Sequence, residues 1–190
     1  MIIGVLALQG AFREHQQALA DCGVESIPVR HKEQLDKIGG LIIPGGESTT
    51  IGKLMLSYDL LEPIKVKGEK GMPIFGTCAG MILLAREIEG TEQPGLGLMN
   101  IRVKRNAYGR QIESFEENLE IPVLGKEPFP AVFIRAPYIL EVTPAVELLA
   151  RHGEKIVCAR EGPFLVTAFH PELTGDRRLH QYFLGIRGGD

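Results

Sequence analysis

Residues 72–85 read MPIFGTCAGMILLA, and their pattern is the strongest single indication of the fold class. A short apolar run at 72–76 is followed by a turn with two glycines, and a second apolar run begins directly after the turn. A continuous apolar run of this length is typical of a strand buried on both faces of a sheet. The residues after the turn, 81–89, have helical spacing. We therefore predict a strand, a sharp turn and a helix, which together form one βα unit of a parallel sheet.

The same alternation extends through the first half of the chain. Apolar runs and helical spacing predict strands at 2–8, 24–30, 40–46 and 72–76 and helices at 11–22, 32–38, 49–71 and 81–89. Gly23 stands where a helix C-cap glycine belongs. Pro28 favours an edge position for the second strand, and we expect Pro63 to break the long helix. This alternation predicts a mostly parallel central sheet with helices on both faces.

The second half of the chain has a different pattern. Short strand-like runs, separated by Gly, Pro and charged turns, lie at 97–106, 118–124, 131–136, 146–152, 155–161 and 164–170. We predict that they form antiparallel strands that extend or flank the parallel sheet. Residues 175–186 return to helical spacing and are expected to pack back on the sheet. Since no linker or repeat interrupts the sequence, we predict a single α/β domain over 1–190.

Composition excludes several functional classes. The chain has 190 residues and a formal net charge of −3, so nothing favours nucleic acid or an anionic membrane as a partner. Its apolar runs are shorter than the roughly 18 residues of a membrane span, and its N-terminus lacks the basic start of a signal peptide. Three cysteines without a CxxC pair predict neither a disulfide framework nor a metal site. We therefore expect a reducing, cytoplasmic setting.

The turn GTCAG (76–80) has the glycine pattern of a nucleophile elbow, with a thiol in place of a serine hydroxyl. Glycines are needed there because a sharp strand-to-helix turn brings backbone segments very close. We expect Cys78 to lie in an exposed, strained turn, with the Ala79 N–H as an oxyanion-hole donor. The alternative is a small buried cysteine without a function, and this interpretation suits Cys22 and Cys158.

A thiol nucleophile needs a base, and His170 is the best placed of five histidines. It ends the apolar run at 164–169 and opens HPEL (170–173), so it also lies at a predicted strand end. Glu172 follows two residues later, where its carboxylate can bond one imidazole nitrogen while the other faces Cys78. The remaining histidines are interpreted as solvated surface residues: His15, His31, His152 and His180.

A second glycine turn, PGGES (44–48), ends the third predicted strand. It lacks the lysine of a phosphate-binding P-loop, so nucleotide binding is not expected. Its peptide N–H groups could complete an oxyanion hole that faces Cys78. A plain tight turn is the alternative.

These motifs, in this order, resemble those of the class I (triad) glutamine amidotransferases. Further stretches are similar to the glutaminase subunits of pyridoxal 5′-phosphate synthase, over nearly the whole chain: LALQGAFREH (6–15), PGGESTTIGKL (44–54), FGTCAGMILLA (75–85), RNAYGRQIESFE (105–116), VFIRAPYI (132–139) and FHPELTGD (169–176). Of these, 105–116 and 132–139 discriminate best from other amidotransferases.

The resemblance implies a reaction and a set of site residues. Cys78 would attack the side-chain amide of L-glutamine, His170 would carry protons, and Glu172 would orient the imidazole. Ammonia would pass to a separate synthase subunit that makes pyridoxal 5′-phosphate, and no cofactor or metal is implied. The implied glutamine contacts are Gly46, Glu47, Ser48, Arg105, Ile134 and Arg135, with the oxyanion hole at Gly46 and Ala79.

Three alternatives stay open on the sequence. The first is a cysteine peptidase or other hydrolase on the same kind of fold. The second is a non-enzymatic regulatory module, although all three triad residues are present. The third is a glutaminase that feeds another pathway, against which the stretches 105–116 and 132–139 argue.

Overall fold

The computed structural model describes residues 1–109 and 113–188. Its strands are β1 (Ile3–Leu6), β2 (Ser26–Val29), β3 (Gly40–Ile43), β4 (Ile74–Thr77), β5 (Ala85–Ile88), β6 (Met99–Lys104), β7 (Ser114–Leu119), β8 (Phe129–Ile134), β9 (Tyr138–Val142), β10 (Glu147–His152), β11 (Lys155–Glu161) and β12 (Phe164–Thr167). Its α-helices are α1 (Phe12–Asp21), α2 (Ser48–Ser57), α3 (Leu61–Glu69), α4 (Ala79–Leu84) and α5 (Arg178–Leu184). Short 3₁₀ helices cover Lys32–Lys37, Pro122–Leu124 and Pro171–Leu173.

The parallel half of the sheet has the strand order β2-β1-β3-β4-β12. All neighbours in this half run parallel, and β2 lies at the edge, as Pro28 predicted. The register pairs Gly76 with Ile43 on one side, and it pairs Thr77 with Thr167 on the other. The carboxyl ends of β3, β4 and β12 therefore meet at one edge, where open parallel sheets bind ligands.

The antiparallel half continues from β12 as β11-β9-β6-β5, with β10 paired to β11. All pairs here are antiparallel except β5 with β6. A separate two-stranded antiparallel sheet, β7-β8, lies beside it. The predicted α/β class, with a mostly parallel central sheet and antiparallel strands in the second half, is confirmed.

Helices cover both faces of the sheet. On one face, the Phe75 ring contacts His15 of α1 and both His180 and Phe183 of α5. Successive side chains of a strand point to opposite faces, so Ile74 points the other way, where Gly68 of α3 approaches it. Helix α5 thus packs back on the sheet as expected.

Three secondary-structure predictions were wrong. The helix predicted at 81–89 is α4, which begins at Ala79 and ends at Leu84, and 85–88 form β5 because they find a partner in β6. The strand predicted at 118–124 ends at Leu119 and is followed by a 3₁₀ helix that starts at Pro122. In addition to the wrong predictions, strand β9 and most of β7 have no counterpart among the predicted strands.

The third error concerns the long helix predicted at 49–71. It is interrupted between Ser57 and Leu61, where Asp59 has a φ of 54°. Pro63 lies in the first turn of α3, where a missing N–H costs nothing, so it starts a helix rather than ending one. In the described part of the chain, no helix has the length and apolar character needed to cross a membrane.

Candidate active site

Cys78 occupies the junction between β4 and α4. Its backbone has φ 51° and ψ −100°, a strained conformation for a residue with a Cβ. Its N–H donates to the Thr167 carbonyl oxygen at 2.8 Å, which ties the turn to β12. The residue was expected in an exposed turn, but it is only 7% exposed, because β12 and the end of β8, at Ile134, lie against it.

The two glycines that flank the cysteine are required by backbone approach. A Cβ on Gly76 would lie 2.5 Å from the carbonyl oxygen of Gly80, and a Cβ on Gly80 would lie 3.1 Å from the carbonyl carbon of Ile43. Both positions therefore exclude a side chain, as the glycine pattern predicted. The Ala79 N–H is the first of α4 and has no partner within that helix.

His170 lies three residues beyond β12, and its backbone N–H donates to the Val132 carbonyl oxygen of β8 at 2.8 Å. Its Nδ1 is 2.7 Å from Oε1 of Glu172, which sits in the short helix Pro171–Leu173. Burial lowers the pKa of His170, but hydrogen bonds with Cys78 and Glu172, and the charges of both, outweigh burial and raise it to about 10. The ring therefore binds a proton strongly, as suits a base that takes the proton of the neighbouring thiol.

Glu172 is a carboxylate in a site closed to solvent. Burial raises the pKa of this group, but the His15 ring and the hydrogen bond and charge of His170 outweigh burial and hold the pKa below its usual range. Since Nδ1 of His170 is engaged with the carboxylate, Nε2 is the nitrogen left for the thiol.

Two histidines interpreted as solvated are wholly buried. His15 and His180 are both 0% exposed, and His15 Nδ1 lies 2.9 Å from His180 Nε2. His15 Nε2 lies 3.0 Å from Thr77 Oγ1 and 3.4 Å from Glu172 Oε2. The signal was present in the sequence, because His15 precedes Ala18 and Leu19 at the three- and four-residue spacing of a buried helix face.

One cavity of about 600 Å³ collects most of the predicted site residues. The catalytic candidates Cys78 and His170 line it, and Glu172 lies behind His170. It is also lined by Ala79 and by every residue that the resemblance assigned to glutamine: Gly46, Glu47, Ser48, Arg105, Ile134 and Arg135. The lining residues that sequence reasoning did not single out are Gln9, Ile82, Asn106, Glu113 and Ser114.

The PGGES turn lines the same cavity as Cys78, through Gly46, Glu47 and Ser48. Gln9 Oε1 accepts the Glu47 backbone N–H at 2.9 Å, and the Gly45 carbonyl oxygen accepts the Ala11 N–H at 3.0 Å. The Glu47 carboxylate caps α2 by accepting the backbone N–H groups of Thr49 and Thr50. Burial raises the pKa of Glu47, but these hydrogen bonds outweigh it and lower the pKa. The turn is therefore built into the fold on both sides, beyond what a plain tight turn requires.

The two predicted arginines differ in their surroundings. Arg105 donates from Nη1 to Thr49 Oγ1 and to Gln93 Oε1, both at 3.0 Å, so its guanidinium is held in place. The Arg135 side chain is 71% exposed and lies 3.8 Å from the Glu113 carboxylate, on a backbone with a φ of 44°. Residues 110–112 of the discriminating stretch 105–116 lie outside the described residues.

Among the residues that the structure describes, no three His, Cys, Asp or Glu side chains come together as metal ligands would. The available chemistry is that of a thiol, an imidazole and a buried carboxylate beside a cavity with one fixed arginine.

Known proteins resemble this chain in both structure and sequence. The structure superimposes on a crystal structure described as a glutamine amidotransferase with a TM-score of 0.93 and 52% identity, covering 98% of each chain. Residues 5–187 match the SNO glutamine amidotransferase family, and the chain belongs to that family.

Two curated relatives are named "Pyridoxal 5′-phosphate synthase subunit PdxT". The one from Pelotomaculum thermopropionicum is 68% identical over 97% of this chain and 94% of its own length. The one from Moorella thermoacetica is 64% identical over 99% of this chain and 100% of its own length.

Proposed function

We propose that this chain hydrolyses L-glutamine to glutamate and ammonia and supplies the ammonia to a synthase subunit that makes pyridoxal 5′-phosphate. Cys78, His170 and Glu172 form its catalytic triad. The observation that carries the proposal is the 2.7 Å hydrogen bond between His170 and Glu172, at the wall of the cavity that also contains Cys78. Family membership and the names of the relatives support the same reaction.

The first half of the reaction forms a thioester. His170 Nε2 takes the thiol proton, and Cys78 Sγ attacks the side-chain amide carbon of glutamine to give a tetrahedral intermediate. The carbon–nitrogen bond then breaks, and the imidazolium gives its proton to the departing nitrogen, which leaves as ammonia. Glu172 stabilises the imidazolium through Nδ1 in both steps.

The second half releases glutamate. His170 removes a proton from water, which attacks the thioester carbon, and the thiolate leaves and regains a proton. In both halves, the negative charge develops on the former amide oxygen. We assign the backbone N–H groups of Gly46 and Ala79, which both line the cavity, as the donors that bind this oxygen.

Substrate binding is assigned to the remaining lining residues. Arg105 is placed to meet the α-carboxylate of glutamine, because a fixed guanidinium pairs with a carboxylate at two points. Arg135 shapes the more open side of the cavity. The other assigned contacts are Gly46, Glu47, Ser48 and Ile134.

Two further assignments complete the proposal. The 190 residues form a single glutaminase domain, because the buried apolar side chains of the described residues form one continuous cluster. The chain acts in the cytoplasm, since all three of its cysteines are free.

The test is glutamate release from glutamine by the purified chain, with and without the synthase subunit, with a peptide as the control substrate. We expect glutamate release from glutamine and no cleavage of the peptide, with the highest rate of release in the complex. In parallel, a glutamine-like electrophile should label Cys78 and spare Cys22 and Cys158, as read by mass spectrometry. Peptide cleavage without glutamine hydrolysis, or equal labelling of the three cysteines, would refute the proposal.

A further inference from the structure

The proposed triad uses only one of the two carboxylate oxygens of Glu172. Oε1 accepts the hydrogen bond of His170, but Oε2 is buried and makes no hydrogen bond of good geometry with the described residues. The nearest polar group that faces it is His15 Nε2, at 3.4 Å. A buried carboxylate is costly unless each oxygen is compensated, so the state of His15 matters to the triad.

The protonation of His15 follows from its neighbours. Burial lowers the pKa of the His15 ring against the pull of Glu172, which favours the neutral ring with a single N–H. Its Nδ1 is shared with His180 Nε2, and the other nitrogen of His180, Nδ1, has no partner among the described residues. A buried nitrogen lone pair without a partner is less costly than a buried N–H without one.

Only one arrangement of protons avoids a buried unpaired N–H. With the proton on Nε2 of both rings, His180 donates to His15 Nδ1, and His15 turns its own N–H toward Thr77 Oγ1 and Glu172 Oε2. With both protons on Nδ1, His180 would bury an unpaired N–H, and His15 would face the carboxylate with a lone pair. The first arrangement is therefore favoured electrostatically.

From this geometry we propose that His15 is a positioning residue of the reaction, whose Nε2–H holds the Glu172 carboxylate in the orientation and charge state that His170 needs. The inference rests on the proposed triad function. While His170 carries its extra proton, it holds Glu172 at Oε1, and the Nε2–H of His15 faces Oε2 at 3.4 Å and attracts its negative charge. The carboxylate then neither rotates away nor takes a proton. The other titratable groups around this pair are Glu14, His170, Arg177 and His180.

The central experiment compares His15→Leu with His15→Gln in the full chain bound to its synthase subunit. The Gln amide nitrogen reaches the position of Nε2 and restores a donor, whereas Leu fills the space without one. We expect His15→Leu to lower kcat about tenfold at unchanged KM, and His15→Gln to recover most of it. Phe183→Leu is the matched control, because it perturbs the same buried aromatic cluster without touching Glu172.

The pH profile distinguishes positioning from packing. Without the N–H, the Glu172 carboxylate accepts a proton more readily, so the acid limb of kcat/KM should move to higher pH by about one unit in His15→Leu. Thr77→Val removes the hydroxyl that competes with Glu172 for the His15 N–H. The acid limb of kcat/KM should therefore move to lower pH in this variant. This second variant keeps the test decisive if His15→Leu does not fold. Equal losses in His15→Leu and Phe183→Leu, with unmoved profiles, would overturn the proposal, as would no shift in Thr77→Val.

Two readouts do not depend on glutamine. Alkylation of Cys78 by iodoacetamide, followed by mass spectrometry of its peptide, should slow about tenfold at neutral pH in His15→Leu and recover in His15→Gln. ¹⁵N NMR of histidine-labelled protein should show the His15 proton on Nε2. A wild-type complex without glutaminase activity would refute the proposed function even with the His15 proton on Nε2. A His15 proton on Nδ1 in an active complex would refute the positioning role and leave the proposed function standing.

Discussion

Gly45 lies directly against the imidazole ring of His170. A Cβ at position 45 would sit 2.8 Å from Nδ1 and 3.4 Å from Nε2 of that ring. The turn after β3 therefore packs against the His170 ring. Only a residue without a side chain at position 45 lets the ring keep the orientation in which Nδ1 meets Glu172.

Gly45→Ala should lower kcat by about 10²-fold, because displacing a catalytic group by about an ångström costs that much. Gly175→Ala is the matched control, since a Cβ there meets nothing within 4 Å. Steady-state glutaminase kinetics on both variants, with circular dichroism to verify folding, make the comparison. Similar rates in the two variants would show that the His170 ring tolerates displacement.

Cys78→Ala should abolish glutamine hydrolysis and leave the fold intact. Cys78→Gly should have a free energy of unfolding at least as high as that of Cys78→Ala. The φ of 51° strains any residue with a Cβ, by about 1–3 kcal/mol, while glycine adopts it freely. Urea denaturation of the two variants measures the difference. A glycine variant less stable than the alanine variant by more than 1 kcal/mol would mean that the backbone at 78 is not strained.

His170→Asn should cost far more activity than Glu172→Gln. Histidine transfers the proton, and removing a general base costs on the order of 10²–10⁴-fold, whereas glutamate orients and stabilises the ring. Kinetics of the two variants, corrected for the folded fraction because Glu172 is buried, give the ratio. Equal and mild losses would contradict the triad.

Arg105→Lys should raise KM for glutamine about tenfold or more, and Arg135→Lys should have a smaller effect. Arg105 is fixed by Thr49 and Gln93, and a lysine loses both that geometry and the two-point pairing with a carboxylate. Arg135 is mostly exposed. Initial rates over a range of glutamine concentrations measure both constants. A larger effect at Arg135 would move the carboxylate site to the open side of the cavity.

Stability should fall as the pH drops from about 6.5 toward 5. Burial and the neighbouring His15 lower the pKa of His180 to about 3. In this pH range, His180 therefore binds a proton in the unfolded chain but stays neutral in the folded chain. The loss for this one group is about 1.4 kcal/mol per pH unit, and His15 adds to it in the same direction.

His170 acts with the opposite sign. Its folded pKa of about 10 contributes stability below 6.5 that is lost as the pH rises through 10. Urea unfolding from pH 5 to 8, with His180→Gln as the comparison, tests the acid side. The variant should show a flatter slope, and an unchanged slope would mean that His180 is protonated in the folded chain.

Strands β1, β3 and β4 were predictable because they are buried on both faces and read as unbroken apolar runs. Strand β12 was predicted among the antiparallel strands, but it pairs parallel to β4. The sharp turn at 76–80 was predictable for a related reason, since Gly76 and Gly80 have no room for a side chain. The cavity could be anticipated once Cys78 and His170 were each placed at a strand end.

The rest depends on contacts that sequence spacing does not contain. Residues 85–88 have helical spacing, but they gain a neighbour in β6 and form a strand. His15 and His180 have charged sequence neighbours. The spacing of His15 to Ala18 and Leu19 indicates a buried helix face, but only the packing of α1 and α5 on one face of the sheet brings the two rings together. Gln9 has no motif of its own, and its importance lies in one hydrogen bond to Glu47.

The insertion of β12 between β4 and β11 has a consequence for how the protein is made. Synthesis on a ribosome runs from the N-terminus, so Cys78 and its turn emerge long before Phe164–Thr167, the strand that must pair with β4. Pairing across such a sequence separation is a slow step of folding, since a long loop must be closed before the contact forms. If the proposed triad is correct, a nascent chain has the Cys78 thiol without its base, and it can consume no glutamine until the last strand enters the sheet.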